Sequence, residues 1–141
     1  MMPMAGLTDL GAMLRELSPS VRDGRFVYVL RADDTLDDYD WEALEVEAQA
    51  VIVEEEGRTL VLEEEVALDY DKQFDGVFGW ITLEVHSSLQ AVGLTAAVST
   101  ALAGAGISCN MLAGLHHDHL LVPIDSVSNA LEILERLSSA P

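Results

Sequence analysis

Hydrophobic and polar residues follow two different periods within residues 80–110, and this stretch predicts the centre of the fold. From Trp80 to Val85 apolar and polar side chains alternate, which is the pattern of a strand with one buried face. After a short loop the period changes to 3.6 residues, and Gly104 and Gly106 predict the end of the resulting helix. The apolar stripe of this helix consists of Leu94, Ala97, Val98, Ala101 and Leu102.

The residues before this corner predict a helix, a buried strand, a hairpin and two short helices. Thr8 is a candidate N-cap for the first helix, and the apolar run Phe26 to Leu30 is short enough for a buried strand. The hairpin has Gly57 in its turn. The helical stripe is Leu10, Met13, Leu14 and Leu17, the hairpin strands are Ala50–Val53 and Thr59–Leu62, and the short helices fall within Trp41–Ala48 and Glu63–Asp69.

The residues after the corner predict a second hairpin and a final helix. Its strands are Ile107–Leu115 and His119–Ile124, with residues 116–118 at the tip, and Asp125 is a candidate cap for the last helix. The second half is therefore strand, helix, strand, strand, helix. Compared with a βαββαβ unit, the second half lacks only the last strand. We expect Phe26–Leu30 or a second copy of the chain to cover the sheet edge that this strand would occupy.

Composition and charge restrict the class of protein. No apolar run approaches the roughly 20 residues needed to cross a bilayer, and no secretory signal is recognisable, so we expect a cytoplasmic protein. The net charge of −18 argues against binding to nucleic acids or anionic membranes. Residues 1–74 carry 19 acids against 6 bases, or −13, and residues 75–141 carry 6 against 1, or −5. This asymmetry predicts two subdomains, 1–74 and 75–141, joined within residues 69–79.

Several short segments of the second half together resemble the ACT domain, a small ferredoxin-like module that senses amino acids. The whole chain is similar to a stand-alone bacterial family of tandem ACT-like proteins, related to the regulatory domains of aspartate kinases. The first half fits that pattern more loosely than the second. The resemblance is carried by Ile81–Leu89 (ITLEVHSSL), Ala91–Val98 (AVGLTAAV), Gly106–Asn110 (GISCN), His117–His119 (HDH) and Val122–Pro123.

The resemblance implies an α/β (α+β) fold of two ACT subdomains and a site for a small amino acid or related metabolite. In ACT modules the effector is held by the loop before the first helix and by the second strand. The helix N-terminus suits a carboxylate, and the acid-rich first half is a candidate to receive the ammonium group. The implied ligand-binding residues are Leu89, Gln90, Ala91, Val92, Gly93 and Leu94 in the loop and Ser108, Asn110 and Met111 on the strand.

Two other functional classes stay open. The cluster His116–His119 holds three imidazoles and a carboxylate, which are good metal ligands, but neighbouring strand residues point to opposite faces, so only His117 and His119 converge. A metal-dependent enzyme is the weaker alternative, because no phosphate-binding loop, nucleophile elbow or dinucleotide fingerprint is present. A ligand-free interaction or oligomerisation module is the stronger alternative.

We therefore predict a non-catalytic, regulatory amino-acid-binding protein that needs no cofactor. Its effect would pass through a separate, unknown protein partner or through a change of oligomeric state, for which a homodimer is the simplest case.

Overall fold

A computed structural model describes residues 9–139, which form two compact units. One unit comprises residues 9–23 and 79–139, and the other comprises Gly24–Phe78. We call them the first and the second unit. The strands are β1 (Pro19–Ala32), β2 (Ala50–Glu54), β3 (Gly57–Glu63), β4 (Phe78–Leu83), β5 (Asn110–Ala113) and β6 (Asp118–Pro123), and the helices are α1 (Leu10–Arg15), α2 (Tyr39–Val46), α3 (Glu64–Asp69), α4 (Leu94–Gly104) and α5 (Val127–Ser139).

The second unit is a strand–helix–strand–strand–helix motif. Its strand order is β2-β3-β1, and both neighbouring pairs are antiparallel. Phe26 lies opposite Glu63 and Ala32 lies opposite Gly57, so the end of β1 meets the start of β3. Alternate side chains of β1 and β3 are buried against α2 and α3 in a core of Val27, Val29, Leu44, Leu60, Leu62 and Ala67.

The first unit repeats this order with β4, α4, β5, β6 and α5. Its strands lie in the order β1-β4-β6-β5, and α1, α4 and α5 contact one another. Because side chains alternate along a strand, every second residue of β4 and β6 faces these helices. The fully buried part of this core includes Met13, Leu17, Ile81, Leu83, Val98, Leu102, Leu120, Val122, Ala130 and Leu134.

The predicted α/β (α+β) fold with two ferredoxin-like motifs is confirmed. The two compact units begin and end at other residues than the predicted subdomains 1–74 and 75–141, because residues 9–23 belong to the same unit as residues 79–139. The predicted hairpin strands within 50–62 and the helices over 41–48, 63–69 and 94–104 are confirmed within one or two residues. The helix α4 ends as predicted, with Gly106 at a φ of 73° just beyond it.

The missing edge strand of the first unit is supplied by β1, but the predicted segment was wrong. Phe26 to Leu30 pair with β3 instead. The neighbour of β4 is the earlier part of β1, since Glu84 N donates to Ser18 O at 3.3 Å and Arg22 lies over the Trp80 ring. The alternation that reveals a strand is absent from residues 19–24, which are exposed apart from half-buried Pro19, so the pattern predicted too short a strand.

Three smaller predictions were also wrong. Asp125 lies inside a 3-10 turn, Ile124–Ser126, that precedes α5, so it is not the residue flanking that helix. β5 is shorter than the predicted strand 107–115, and Gly57 begins β3 rather than occupying the turn. The predicted cap Thr8 lies outside the described residues, and Asp9 caps α1 by accepting from the N–H of Ala12.

Gly79 of β4 packs against Val127, the first residue of α5. A Cβ at this position would overlap Cγ2 of Val127, whereas a Cβ on Gly104 at the end of α4 would meet nothing within 4 Å. A side chain at 79 would therefore force Val127 to move, and a side chain at 104 would not disturb its surroundings.

We expect Gly79→Ala to lower the free energy of unfolding by about 1–3 kcal/mol, because overpacking forces the strand and helix apart. Gly104→Ala is the matched control, and it should raise stability by about 0.5–1 kcal/mol by removing backbone freedom from the unfolded chain. Urea unfolding of both variants measures this. Equal effects of the two substitutions would contradict the packing described for Gly79.

Candidate functional site

A small cavity of about 140 Å³ lies within the first unit, at the end of β4, the start of α4 and the start of β6. We call it the Asp118 cavity. It lies where the loop after the first strand meets the hairpin of β5 and β6. Its lining consists of Ser87, Ser88, Leu89, Ala91, Gly93, Leu94, Thr95, Ala113 and Asp118.

The start of α4 presents backbone donors to this cavity. The N-cap is Gly93, with a φ of 103°, and no side chain within the described residues caps the helix. The first N–H groups of a helix have no intrahelical acceptors and carry a partial positive charge. No acidic residue stands in the first turn of α4 to compensate them.

Gly93 is also fixed by packing. A Cβ built on it would stand 3.2 Å from Cδ2 of Leu10, a residue of α1. The positive φ disfavours any residue with a side chain here. Glycine therefore satisfies both the backbone conformation and the close contact with α1.

Asp118 supplies a carboxylate to the same cavity. It is the first residue of β6 and pairs with Ala113 at the end of β5. Ser87 is 9% exposed, and its hydroxyl donates to Oδ2 of Asp118 at 3.4 Å. The loop after β4 and the start of β6 thus bring a hydroxyl and a carboxylate into one small volume.

The residues predicted from the resemblance fall into two groups. Leu89, Ala91, Gly93 and Leu94 line the Asp118 cavity, and Gln90 and Val92 lie in the same loop without lining it. The three residues predicted on the facing strand lie elsewhere. Ser108 is exposed just before β5, the side-chain amide of Asn110 donates to Leu121 O at 3.4 Å, and Met111 packs against the core.

Five residues of the cavity lining were not assigned to the site from the sequence: Ser87, Ser88, Thr95, Ala113 and Asp118. A signal was present for Asp118. In a strand–helix–strand–strand order with an antiparallel hairpin, the start of the third strand lies at the same edge as the loop that follows the first strand. A polar residue at that start is therefore a candidate neighbour of the loop residues.

Three of the four histidines lie close together, and the fourth has other neighbours. The ring of His116 lies 5.3 Å from that of His86 and 6.5 Å from that of His117, whereas His119 contacts Trp80 and Thr82 on β4. Across residues 9–139 no group of three or more His, Cys, Asp or Glu side chains is placed to hold a metal ion. His117 and His119 therefore do not form the core of a larger ligand set.

His119 lies beside an indole and a guanidinium. Nε1 of Trp80 donates to its Nδ1 at 3.3 Å, and Oγ1 of Thr82 lies 3.0 Å from the same nitrogen. An indole N–H can only donate, so Nδ1 is the acceptor and the imidazole is neutral in this geometry. Burial lowers the pKa of His119, and the charges of Arg22 and His117 lower it further against the opposing effect of Asp118 and Glu84.

Comparison with known proteins identifies the family. One ACT-domain model matches residues 5–79 and a second matches residues 77–136. The first match covers more than half of the chain, so the chain belongs to the ACT domain family, with two ACT units in tandem. A comparison with curated proteins found no match.

Solved structures agree with this assignment. A Vibrio cholerae protein of unknown function, described as a possible transport protein, is 40% identical over 92% of this chain and 96% of its own, with a TM-score of 0.80. The ligand-free regulatory subunit of aspartate kinase from Thermus thermophilus is 8% identical over 86% and 97%, with a TM-score of 0.64. Aspartate kinase from Clostridium acetobutylicum is 10% identical over 85% and 34%, with a TM-score of 0.63. The two kinase matches show a shared fold.

ACT domains are regulatory modules, and regulatory subunits stand among the structural neighbours. In the part of the chain from Asp9 to Ser139, no helix combines the length and the apolar character that crossing a bilayer requires.

The environment of His119 predicts a pH-dependent stability. An unfolded chain binds the imidazole proton near pH 6.5, whereas folded His119 stays neutral to lower pH. The unfolded state therefore binds more protons in this window, so the contribution of His119 to stability is complete above about pH 6.5 and is lost as the pH falls below it. Urea unfolding between about pH 8 and pH 5 should show a stability advantage of wild type over His119→Gln that shrinks on acidification.

Gln90→Ala is the control for this measurement, because Gln90 is exposed and does not ionise. Its stability profile should run parallel to that of the wild type. Parallel profiles for wild type and His119→Gln would contradict the assignment of the neutral, indole-bonded imidazole.

Proposed function

We propose that this chain is a regulatory protein that binds a small α-amino acid in the Asp118 cavity and acts by binding rather than by catalysis. The observation that carries the proposal is the pairing of two opposite polarities in one cavity. The start of α4 offers donors, and Asp118 offers a carboxylate. An α-amino acid carries the two complementary charges on two groups that are attached to the same carbon atom.

The carboxylate of the amino acid would accept hydrogen bonds from the first N–H groups of α4. Leu94 and Thr95 both line the cavity, and they are the first two residues of the helix. Anions bind at helix N-termini because unpaired donors and the helix dipole act together. The absence of an acid from the first turn of α4 leaves this attraction unopposed there.

The ammonium group would bind Asp118, with the hydroxyl of Ser87 as its neighbour. Hydrogen bonds between ionised groups are about twice as strong as neutral ones. The sequence led us to expect that the acid-rich first half supplies this carboxylate. The proposal assigns it to Asp118, because Asp118 is the acidic member of the cavity lining.

The volume of the cavity, about 140 Å³, favours a small ligand. Glycine, L-alanine and L-serine are therefore the first candidates among the amino acids.

Regulation requires that the bound amino acid favour one arrangement of the protein over another. The family to which the chain belongs supports a regulatory role, and an aspartate kinase regulatory subunit shares the fold. The effect of binding would pass to a separate protein partner, or it would change the oligomeric state of the chain, for which a homodimer is the simplest case.

A thermal-shift screen of the twenty amino acids tests the proposal. A ligand at about one hundred times its Kd stabilises the folded state by about 2.7 kcal/mol, which raises Tm by roughly 5–10 °C in a chain of this size. We expect glycine, L-alanine or L-serine to give such a shift. Propionate, which lacks the ammonium group, and ethylamine, which lacks the carboxylate, should give none.

Asp118→Asn removes the proposed ammonium contact and should weaken binding by about ten- to a hundredfold, because a hydrogen bond to a charged group contributes about 1.5–3 kcal/mol. Asp125→Asn is the matched control, since Asp125 is exposed and does not line the cavity. Its binding should equal that of wild type. No shift with any amino acid would contradict the proposal and favour a ligand-free interaction module.

A further inference from the structure

Because both units have the same order of elements, the Asp118 cavity of the first unit has an equivalent position in the second unit. This position lies between the end of β1, residues 33–38, the start of α2 and the start of β3. In both units the end of the first strand meets the start of the third, as Ala32 and Gly57 show in the second unit. The two places differ in the charged groups that surround them.

The start of α2 is occupied by a carboxylate of the chain itself. Oδ1 of Asp38 accepts from the backbone N–H of Asp40 at 2.9 Å and of Trp41 at 3.2 Å. Asp40 and Glu42 add two further acids in the first turn. The carboxylate of an amino acid would have to displace one negative group and approach two others, whereas α4 presents no such barrier.

The position that corresponds to Asp118 in the second unit holds a base. Asp118 lies two residues before the buried Leu120 of β6, and Arg58 lies two residues before the buried Leu60 of β3, so both are on the core face of their strands. Nη1 of Arg58 donates to Oε2 of Glu45 at 2.7 Å. A guanidinium rather than a carboxylate therefore stands where an ammonium group would have to bind.

Arg31 fixes the loop of the second unit from within. Its side chain is 3% exposed, and Nη1 donates to Oε1 of Glu45 on α2 at 3.1 Å. Nη2 donates to the carbonyl oxygens of Thr35 and Leu36 at 3.2 and 3.1 Å. Oε2 of Glu45 also binds Arg58 at 2.7 Å. One guanidinium thus ties the loop to the helix, which is the connection that a bound effector would make in the first unit.

We infer that the chain binds a single amino acid, in the Asp118 cavity alone, and that Arg31 and Asp38 close the corresponding place in the second unit. This inference rests on the proposed function, and it adds the stoichiometry and the division of roles. The first unit is the sensing unit, and the second is held in one arrangement by its own groups.

Equilibrium dialysis of the full chain against ¹⁴C-labelled glycine, L-alanine and L-serine, at protein concentrations above Kd, tests this inference. At saturation we expect one mole bound per mole of chain. Asp118→Asn should bind at least tenfold more weakly, and Glu45→Gln, which removes one carboxylate from the second unit, should bind as the wild type does.

A second measurement checks that Glu45 has the internal role described. Glu45→Gln should lower Tm by several degrees. Glu64→Gln is the control: it breaks the ion pair with Arg25, whose side chain is 54% exposed, and should change Tm little. Equal changes in Tm would overturn the role of the Arg31 contact in closing the second unit.

The binding outcomes separate this inference from the proposed function. Two moles bound per chain would overturn the single site and leave amino-acid binding intact. Binding that survives Asp118→Asn but is lost in folded Glu45→Gln would place the site in the second unit and overturn the inference. No binding of any of the three amino acids would overturn both.

Discussion

The burial of alternate side chains of β4 and β6 beneath α4 and α5 is the constraint on which the site depends. Ile81, Leu83, Leu120 and Val122 are fully buried against these helices. A shift of either strand by one residue would turn these side chains to the opposite face. The buried core therefore fixes the pairing that places Ser87 beside Asp118. The geometry of the cavity is a consequence of apolar packing, although its own chemistry is polar.

The two units show how one motif can be kept open or closed by few residues. Arg58 stands where the other unit has Asp118, and Asp38 caps the helix that corresponds to the uncapped α4. The acidic excess of residues 1–74 includes the acids at the start of α2, which oppose an anionic ligand there. The net charge of the chain identifies no partner. The positions of the acids relative to the helix starts, by contrast, indicate which helix start can accept an anionic ligand.

The helices and hairpins could be predicted because their signals are local. Residues close together in the sequence predict the apolar stripe of α4, the glycines at its end and the hairpin within 50–62. The length of β1 could not be predicted in this way. Residues 19–24 form a strand because β4 lies beside them, and their own exposed, polar pattern does not indicate it. Pairing partners distant in sequence decided that strand.

The candidate site was predicted in part for the same reason. The loop residues Leu89, Ala91, Gly93 and Leu94 belong to a contiguous motif, and the structure brings them to the cavity. Asp118 was considered only with its histidine neighbours as a metal ligand, because its nearest neighbours in sequence are histidines. Its neighbour in space is Ser87, which is 31 residues away in the chain. Its neighbours in sequence suggested a metal ligand, and its neighbour in space indicates a carboxylate that binds a polar ligand.

The most direct test of the account is a crystal structure of the chain with L-alanine, at a concentration that saturates binding in solution. We expect the amino acid in the Asp118 cavity, with its carboxylate about 3 Å from the N–H groups of Leu94 and Thr95 and its ammonium about 3 Å from Asp118. An amino acid bound elsewhere, or one with its carboxylate turned towards Asp118, would contradict it.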